Sequence, residues 1–240
     1  MLLEVCASNY KSAYNAQKAG ANRIELCSEL AIGGITPSYG LLKLVTGMLE
    51  IPVFVLVRPR SGDFTYTEEE FEIIKANIEL CKEFGVSGIV SGVLNSDNTI
   101  DINRTKELVE LSKPLPFTFH RAFDWTPNAK EALEQLIEIG VNRVLTSGQE
   151  ASSEKGLPLL IKLKEQAIGR IGILPGGGIN SGNAELFKDN DFNEIHASAS
   201  TSESTIDAPE ITMNSTKFLS DNHLFYSETS KIQAILNAIK

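Results

Sequence analysis

The sequence has little cysteine, no surplus of positive charge and no long apolar run. Its three cysteines, Cys6, Cys27 and Cys81, are odd in number and widely spaced, so they do not read as a disulfide framework. No CxxC or CxxH pair is present, which argues against a structural zinc site of the usual spacing. Lys and Arg total 22 against 31 Asp and Glu, a net charge of −9. An acidic chain repels phosphate backbones, so a nucleic-acid partner is not expected. No apolar stretch is long enough to span a bilayer. The start, MLLEVCASNY, shows no basic leader or cleavage pattern, and Glu4 interrupts its apolar run. The expectation is a cytoplasmic protein without a membrane partner.

Against this background, short β-rich runs alternate with amphipathic stretches. The strand runs are Leu2–Ala7, Arg23–Cys27, Val53–Val57, Gly88–Ser91, Phe117–His120, Arg143–Thr146, Ile171–Leu174 and Glu194–Ala197. Eight such runs separated by helical patterns predict an α/β fold, a single (β/α)8 TIM barrel with a parallel eight-stranded core and outer helices. One domain spans 1–240. Thr67-Glu-Glu-Glu70 reads as a capping box. Thr36-Pro37 and Thr126-Pro127 read as a cap residue before a proline at the first helical position. Residues 201–228, rich in Ser, Thr, Asn and Asp, are expected as a long structureless loop over or beside the barrel mouth. Ile232, Ile235, Leu236 and Ile239 form one stripe of a closing helix at 229–240.

A short internal repeat supports the barrel. Gly20-Ala-Asn-Arg-Ile-Glu25 matches Gly140-Val-Asn-Arg-Val-Leu145 and, more weakly, Gly85-Val-Ser-Gly-Ile-Val90. In each, a glycine ends a helix and a polar turn feeds a strand.

Barrels of this type carry their sites at the carboxyl ends of the strands, and polar residues gather there. Alternation turns Glu4 and Cys6 inward on the first strand, and Arg23, Glu25 and Cys27 inward on the second. Glu25 is therefore either a catalytic acid or one member of a structural Glu–Arg network. Cys6 and Cys27 occupy like positions on neighbouring strands. If close, two thiolates suit a soft ion such as Cu(I), while the plainer reading is two buried apolar thiols. Cys81 reads as outer helix packing. Arg58 and Arg60 flank a proline on a loop, as an anion clamp would. His120 and Asp124 offer an acid–base pair, with Asp124 placed to orient the imidazole. Arg121 and Ser147 add polar groups at the same end. Gly176-Gly177-Gly178 can bring backbone amides to an anion such as phosphate, or can simply serve a tight turn.

Taken together, Glu4-Val-Cys-Ala7, Arg23-Ile-Glu-Leu-Cys27, Gly33-Gly-Ile-Thr-Pro-Ser38, Arg58-Pro-Arg-Ser-Gly-Asp-Phe64, Thr118-Phe-His-Arg-Ala-Phe-Asp124, Arg143-Val-Leu-Thr-Ser-Gly148 and Gly176-Gly-Gly-Ile179 resemble the CutC family, named for copper homeostasis. The resemblance runs in order from residue 2 to about residue 200. It implies a (β/α)8 barrel, a cytosolic location, a homo-oligomer and Cu(I) bound through Cys6 and Cys27. It carries no established reaction. The alternative is a TIM-barrel enzyme acting on a small anionic or phosphorylated metabolite. That reading uses Arg58, Arg60, His120, Arg121, Asp124, Ser147 and the glycines, none of which a two-cysteine copper site requires.

Overall fold

The computed structural model describes residues 1–207, 210–213 and 221–240. Eight strands build the barrel: β1 (Leu2–Ala7), β2 (Arg23–Leu26), β3 (Val53–Leu56), β4 (Gly88–Ser91), β5 (Phe117–Phe119), β6 (Arg143–Thr146), β7 (Gly172–Pro175) and β8 (Glu194–Ala197). Each pairs in parallel with its sequence neighbour from β1 to β7, and β8 pairs with β1 with Glu4 opposite His196. A single bridge between Gly176 and His196 completes the ring. The TIM barrel read from the alternating pattern is therefore the fold. Cys27, Val57 and His120, read as strand residues, lie just past the strand ends, and of the three His120 lines the mouth.

Outside the ring lie α1 (Tyr10–Ala19), α2 (Tyr39–Met48), α3 (Glu68–Glu83), α4 (Ile102–Ser112), α5 (Ala129–Glu138), α6 (Leu157–Ala167), α7 (Ala184–Asp189) and α8 (Thr229–Ala238). Their apolar stripes meet the outward strand residues in one continuous core that includes Leu3, Ile24, Val55, Ile74 and Phe187. Ile232, Ile235 and Ile239 are buried as the closing helix requires. Cys81 is buried on α3, as outer packing. Among the described residues no helix is long and apolar enough to cross a membrane.

The Thr67–Glu70 capping box forms in full. The two Thr-Pro pairs do not cap helices, and that expectation is corrected. Ser38 caps α2 and Asn128 caps α5, in each case two residues past the threonine. The Thr36 hydroxyl instead donates to the Arg58 carbonyl at 3.0 Å, and the Thr126 hydroxyl to the Phe123 carbonyl at 2.8 Å. Threonine serves a nearby carbonyl as readily as a helix end.

The internal repeat has a physical meaning. Gly20, Gly85 and Gly140 adopt φ of +91°, +64° and +83°, the left-handed backbone that lets the chain leave a helix and enter a strand. The polar residue two positions on then accepts an amide at the start of the preceding strand. The Leu3 amide donates to Asn22 at 2.8 Å, that of Phe117 to Asn142 at 2.7 Å, and that of Val53 to Ser87 at 3.3 Å. Next come Arg23, Arg143 and Gly88. The two arginines lie over the Phe54 ring, at 5.1 and 4.7 Å from its centre, and both bond Glu194.

Residues 201–228 are not a structureless loop throughout, a second correction. β9 (Ser200–Ser204) and β10 (His223–Ser227) pair antiparallel beside the barrel. They are tied to α1 by polar contacts. Asn9 donates to the Phe225 carbonyl at 2.8 Å, Asn15 to the Ser227 carbonyl at 2.9 Å, and Lys11 pairs with Glu203 at 2.6 Å. Residues 208–209 and 214–220 of the expected loop lie outside the described residues.

Candidate functional site

The strand ends surround a cavity of about 490 Å³ at the barrel mouth. Its floor is Cys6, Glu25 and His196, contributed by β1, β2 and β8. One wall is Arg58, Phe64, His120 and Trp125, and the other is Gly177, Gly178, Ile179 and Ser198, with Arg121 at the rim.

Beneath the floor runs a buried charge network. The Arg23 guanidinium bonds Glu4 through Nε and Glu194 through Nη2, the latter at 2.6 Å. Arg143 reaches the same Glu194 oxygen at 3.2 Å. The other Glu4 oxygen meets His196 Nδ1 at 2.7 Å. Burial alone raises the Glu4 carboxyl, but the His196 hydrogen bond and the Arg23 charge outweigh it and hold it at about 2. Burial opposes charge on His196, yet Cys6, Glu4 and Glu25 together raise its imidazole well above the usual value. The carboxylates around His196 therefore favour the charged form of its ring.

Glu25 stands apart from this network, with no hydrogen-bond partner among the described residues. Burial pushes its carboxyl up to about 7, against the pull of the His196 charge. An unpartnered buried carboxyl is costly, and here it faces a cavity. Cys6, Glu25 and His196 each present a donor atom within 4.8 Å of the others. The Cys6 and Cys27 sulfurs lie 3.7 Å apart. Cys27 sits behind Cys6, packed with Phe54, Leu56 and Val90. Hydrogen bonding to Cys27, followed by burial, raises the Cys6 thiol well above its ordinary value. All three cysteines are free thiols.

The residues read as anion contacts divide. Arg58 is buried and spends its guanidinium on carbonyls: Nη1 on Ile32 at 3.1 Å and Gly34 at 3.0 Å, Nη2 on Gly62 at 2.7 Å. It ties the loops after β2 and β3 together. Arg60 pairs with Glu70 at 2.5 Å and Asp63 at 3.0 Å, and lies outside the cavity lining. Arg121 is held by Asp124 through Nε at 2.8 Å and by the Ser147 hydroxyl through Nη2 at 2.9 Å. Its Nη1 has no partner among the described residues and would lie 3.6 Å from a methyl placed on Gly177. Gly177 and Gly178 adopt φ of +117° and +76° and line the cavity, while Gly176 donates to the Thr146 carbonyl at 2.9 Å.

Asp124 does not orient His120, contrary to the expectation from their spacing. It accepts from the Thr146 hydroxyl at 2.5 Å and from the Ser147 and Gln149 amides at 3.1 and 3.2 Å, and so organises the loop after β6. His120 Nδ1 accepts the Ala122 amide at 3.3 Å. Burial, aided by the Arg58 charge, lowers the His120 imidazole to about 3. It is a neutral ring packed on Phe64, with centroids 4.8 Å apart.

Sequence reasoning places His196 at a strand end of the mouth but gives it no role there. The signal was present: Glu194 and His196 alternate inward on β8, and ring closure sets β8 beside the inward Glu4.

Known proteins share the sequence and the fold of this chain. The family model described as CutC family matches residues 1–201. A human protein named copper homeostasis protein cutC homolog is 44% identical over 242 residues, covering 99% of this chain and 88% of its own. The mouse protein of the same name is 48% identical over 202 residues, covering 84% and 74%. The crystal structure of a putative copper homeostasis protein CutC from Streptococcus agalactiae superposes with a TM-score of 0.78 at 33% identity, covering 82% of this chain and 98% of that one. An aldolase with 13% identity superposes at 0.61 and shares the barrel alone. Fold and relatives agree, and the chain belongs to the CutC family.

Proposed function

We propose that this protein handles copper as cargo, binding Cu(I) between Cys6 and Cys27. The observation that carries the reading is the 3.7 Å separation of the two sulfurs. Both side chains are buried, and the surrounding Phe54, Leu56 and Val90 keep the pair in an apolar setting. Soft thiolates in such a setting favour a soft monovalent ion over a hard divalent one. Three free thiols suit a reducing compartment, and a cytosolic location belongs to the same proposal. So does the homo-oligomer, which light scattering reads directly. The decisive experiment is a Cu(I) competition titration of the reduced protein against a chelator of known affinity, beside Cys6→Ser/Cys27→Ser. Tight stoichiometric binding lost in the double variant supports the reading. Weak binding, or binding equal in the two proteins, overturns it.

A second reading is favoured by one specific observation. Arg121 is braced by Asp124 and Ser147 so that Nη1 hangs over the Gly177–Gly178 turn of a cavity large enough for a metabolite. A small anionic or phosphorylated molecule fits that arrangement. Thermal stabilisation by such compounds, lost in Arg121→Ala, supports it. An unchanged response in that variant removes Arg121 from the site.

A further inference from the structure

The cavity floor contains an arrangement that a two-thiol site leaves unused. Three different donors converge there: a thiol on Cys6, a carboxylate on Glu25 and an imidazole nitrogen on His196, all within 4.8 Å of one another. Glu25 is 5% exposed, lines the cavity and has no hydrogen-bond partner among the described residues. Its position carries a desolvation cost that no protein hydrogen bond offsets.

The imidazole is held as metal-ligating imidazoles are held. A ligating histidine commonly donates its second ring N–H to a carboxylate, which fixes the tautomer and the plane of the ring. His196 Nδ1 lies 2.7 Å from Glu4 Oε1, and Glu4 is anchored in turn by Arg23. Nε2 is thereby left as the nitrogen that meets Cys6 and Glu25. Three protein ligands with a solvent-facing fourth position distinguish open metal sites from closed structural ones, and the 490 Å³ cavity supplies that face.

We propose that Cys6, Glu25 and His196 form a site for a divalent cation of borderline softness, Zn²⁺, with one coordination position open to the mouth cavity. Sulfur, nitrogen and carboxylate oxygen are all ordinary Zn²⁺ donors. A Cu(I) ion finds its partners in Cys6 and Cys27 and has no need of a carboxylate. The inference does not rest on the copper reading. The two sites share Cys6, so one chain holds one ion or the other. The open position takes a water or an oxygen of whatever molecule fills the cavity.

The test uses the reduced full-length chain. Zn²⁺ affinity is measured by competition with a chromophoric chelator for wild type, Glu25→Gln and Cys27→Ser. Co²⁺ is titrated alone as a spectroscopic probe of thiolate coordination. The expected result is one Zn²⁺ per wild-type chain, weakened more than about tenfold by Glu25→Gln, as loss of a ligand or of its support does at such sites. Cys27→Ser, which abolishes Cu(I) binding on the copper reading, keeps Zn²⁺ affinity and the thiolate-to-cobalt band. Should Glu25→Gln fail to fold, the cobalt band of wild type against Cys27→Ser carries the test. Absence of stoichiometric Zn²⁺ binding, equal affinity in Glu25→Gln, or loss of the cobalt band in Cys27→Ser would each overturn the proposal. The last result would assign the ion to the two thiols.

Discussion

The ring of Phe54 fills the space that any side chain at position 88 would need: a Cβ on Gly88 would lie 2.1 Å from Phe54 Cε1. This explains why the third copy of the internal repeat carries glycine where the other two carry Arg23 and Arg143. The missing side chain makes room for the ring that both arginines cover. Gly88→Ala is expected to push Phe54 off its seat and to destabilise the barrel by about 1–3 kcal/mol, the usual range for overpacking. A urea denaturation midpoint equal to wild type would show that the ring has room to move.

Arg23 has the heaviest structural role beneath the floor. Its side chain is only 6% exposed and it bonds both Glu4 and Glu194. Arg23→Met leaves the buried Glu4 and the half-buried Glu194 short of a partner, and breaking a buried pair on one side costs about 3–5 kcal/mol. Chemical denaturation checks this. A loss under about 1 kcal/mol would mean that water enters the network and takes over the bonding.

His120 should make stability depend on pH in a definite direction. Folded, its imidazole takes a proton only near about 3, against 6.5 when unfolded. Between those values the unfolded chain binds the extra proton, so this residue's contribution falls as pH drops from 6.5 towards 3. The slope reaches at most about 1.4 kcal/mol per pH unit. His120→Asn lacks this dependence. Wild-type stability minus variant stability should therefore shrink between pH 6.5 and 4.5, as followed by denaturation at each pH. A flat difference would show His120 protonating as freely in the fold as out of it.

The three strand-start bonds give a graded series. Asn142→Ala and Asn22→Ala each strand a backbone amide, of Phe117 and Leu3, that donates at 2.7 and 2.8 Å. Each should cost about 1–3 kcal/mol, the penalty for an unmet buried donor. Ser87→Ala, whose bond is 3.3 Å long, should cost less. Amide exchange at Leu3 and Phe117 should quicken in the matching variant alone. Equal losses at all three positions would rule out bond length as the deciding factor.

Most of the barrel was legible because its signals are local. Strand alternation, the Thr67–Glu70 box and the glycine turns each act within a few residues. The proximity of Cys6 and Cys27 was half legible, since like positions on neighbouring strands must lie near one another. His196 was harder. Its partner Glu4 is 192 positions away, and only ring closure through β8 makes them neighbours. Asp124 shows the reverse error. Sequence nearness pointed to His120, whereas the carboxylate turns to Thr146, Ser147 and Gln149 on another loop. The β9 strand was missed because Ser-Thr-Ser-Glu-Ser offers no apolar face, and polar bonds to α1 hold the ribbon instead.

The shared carboxylate of Glu194 also sets a condition on the birth of the molecule. Arg23 and Arg143 emerge from the ribosome before the one residue that bonds both, and Glu4 waits as long for His196. A nascent chain that stops short of β8 holds two cationic side chains and an acid for which the interior has no complete set of partners. The barrel therefore has reason to stay open until its last strand arrives, and a chain truncated before Glu194 is a substrate for quality control rather than a smaller working protein.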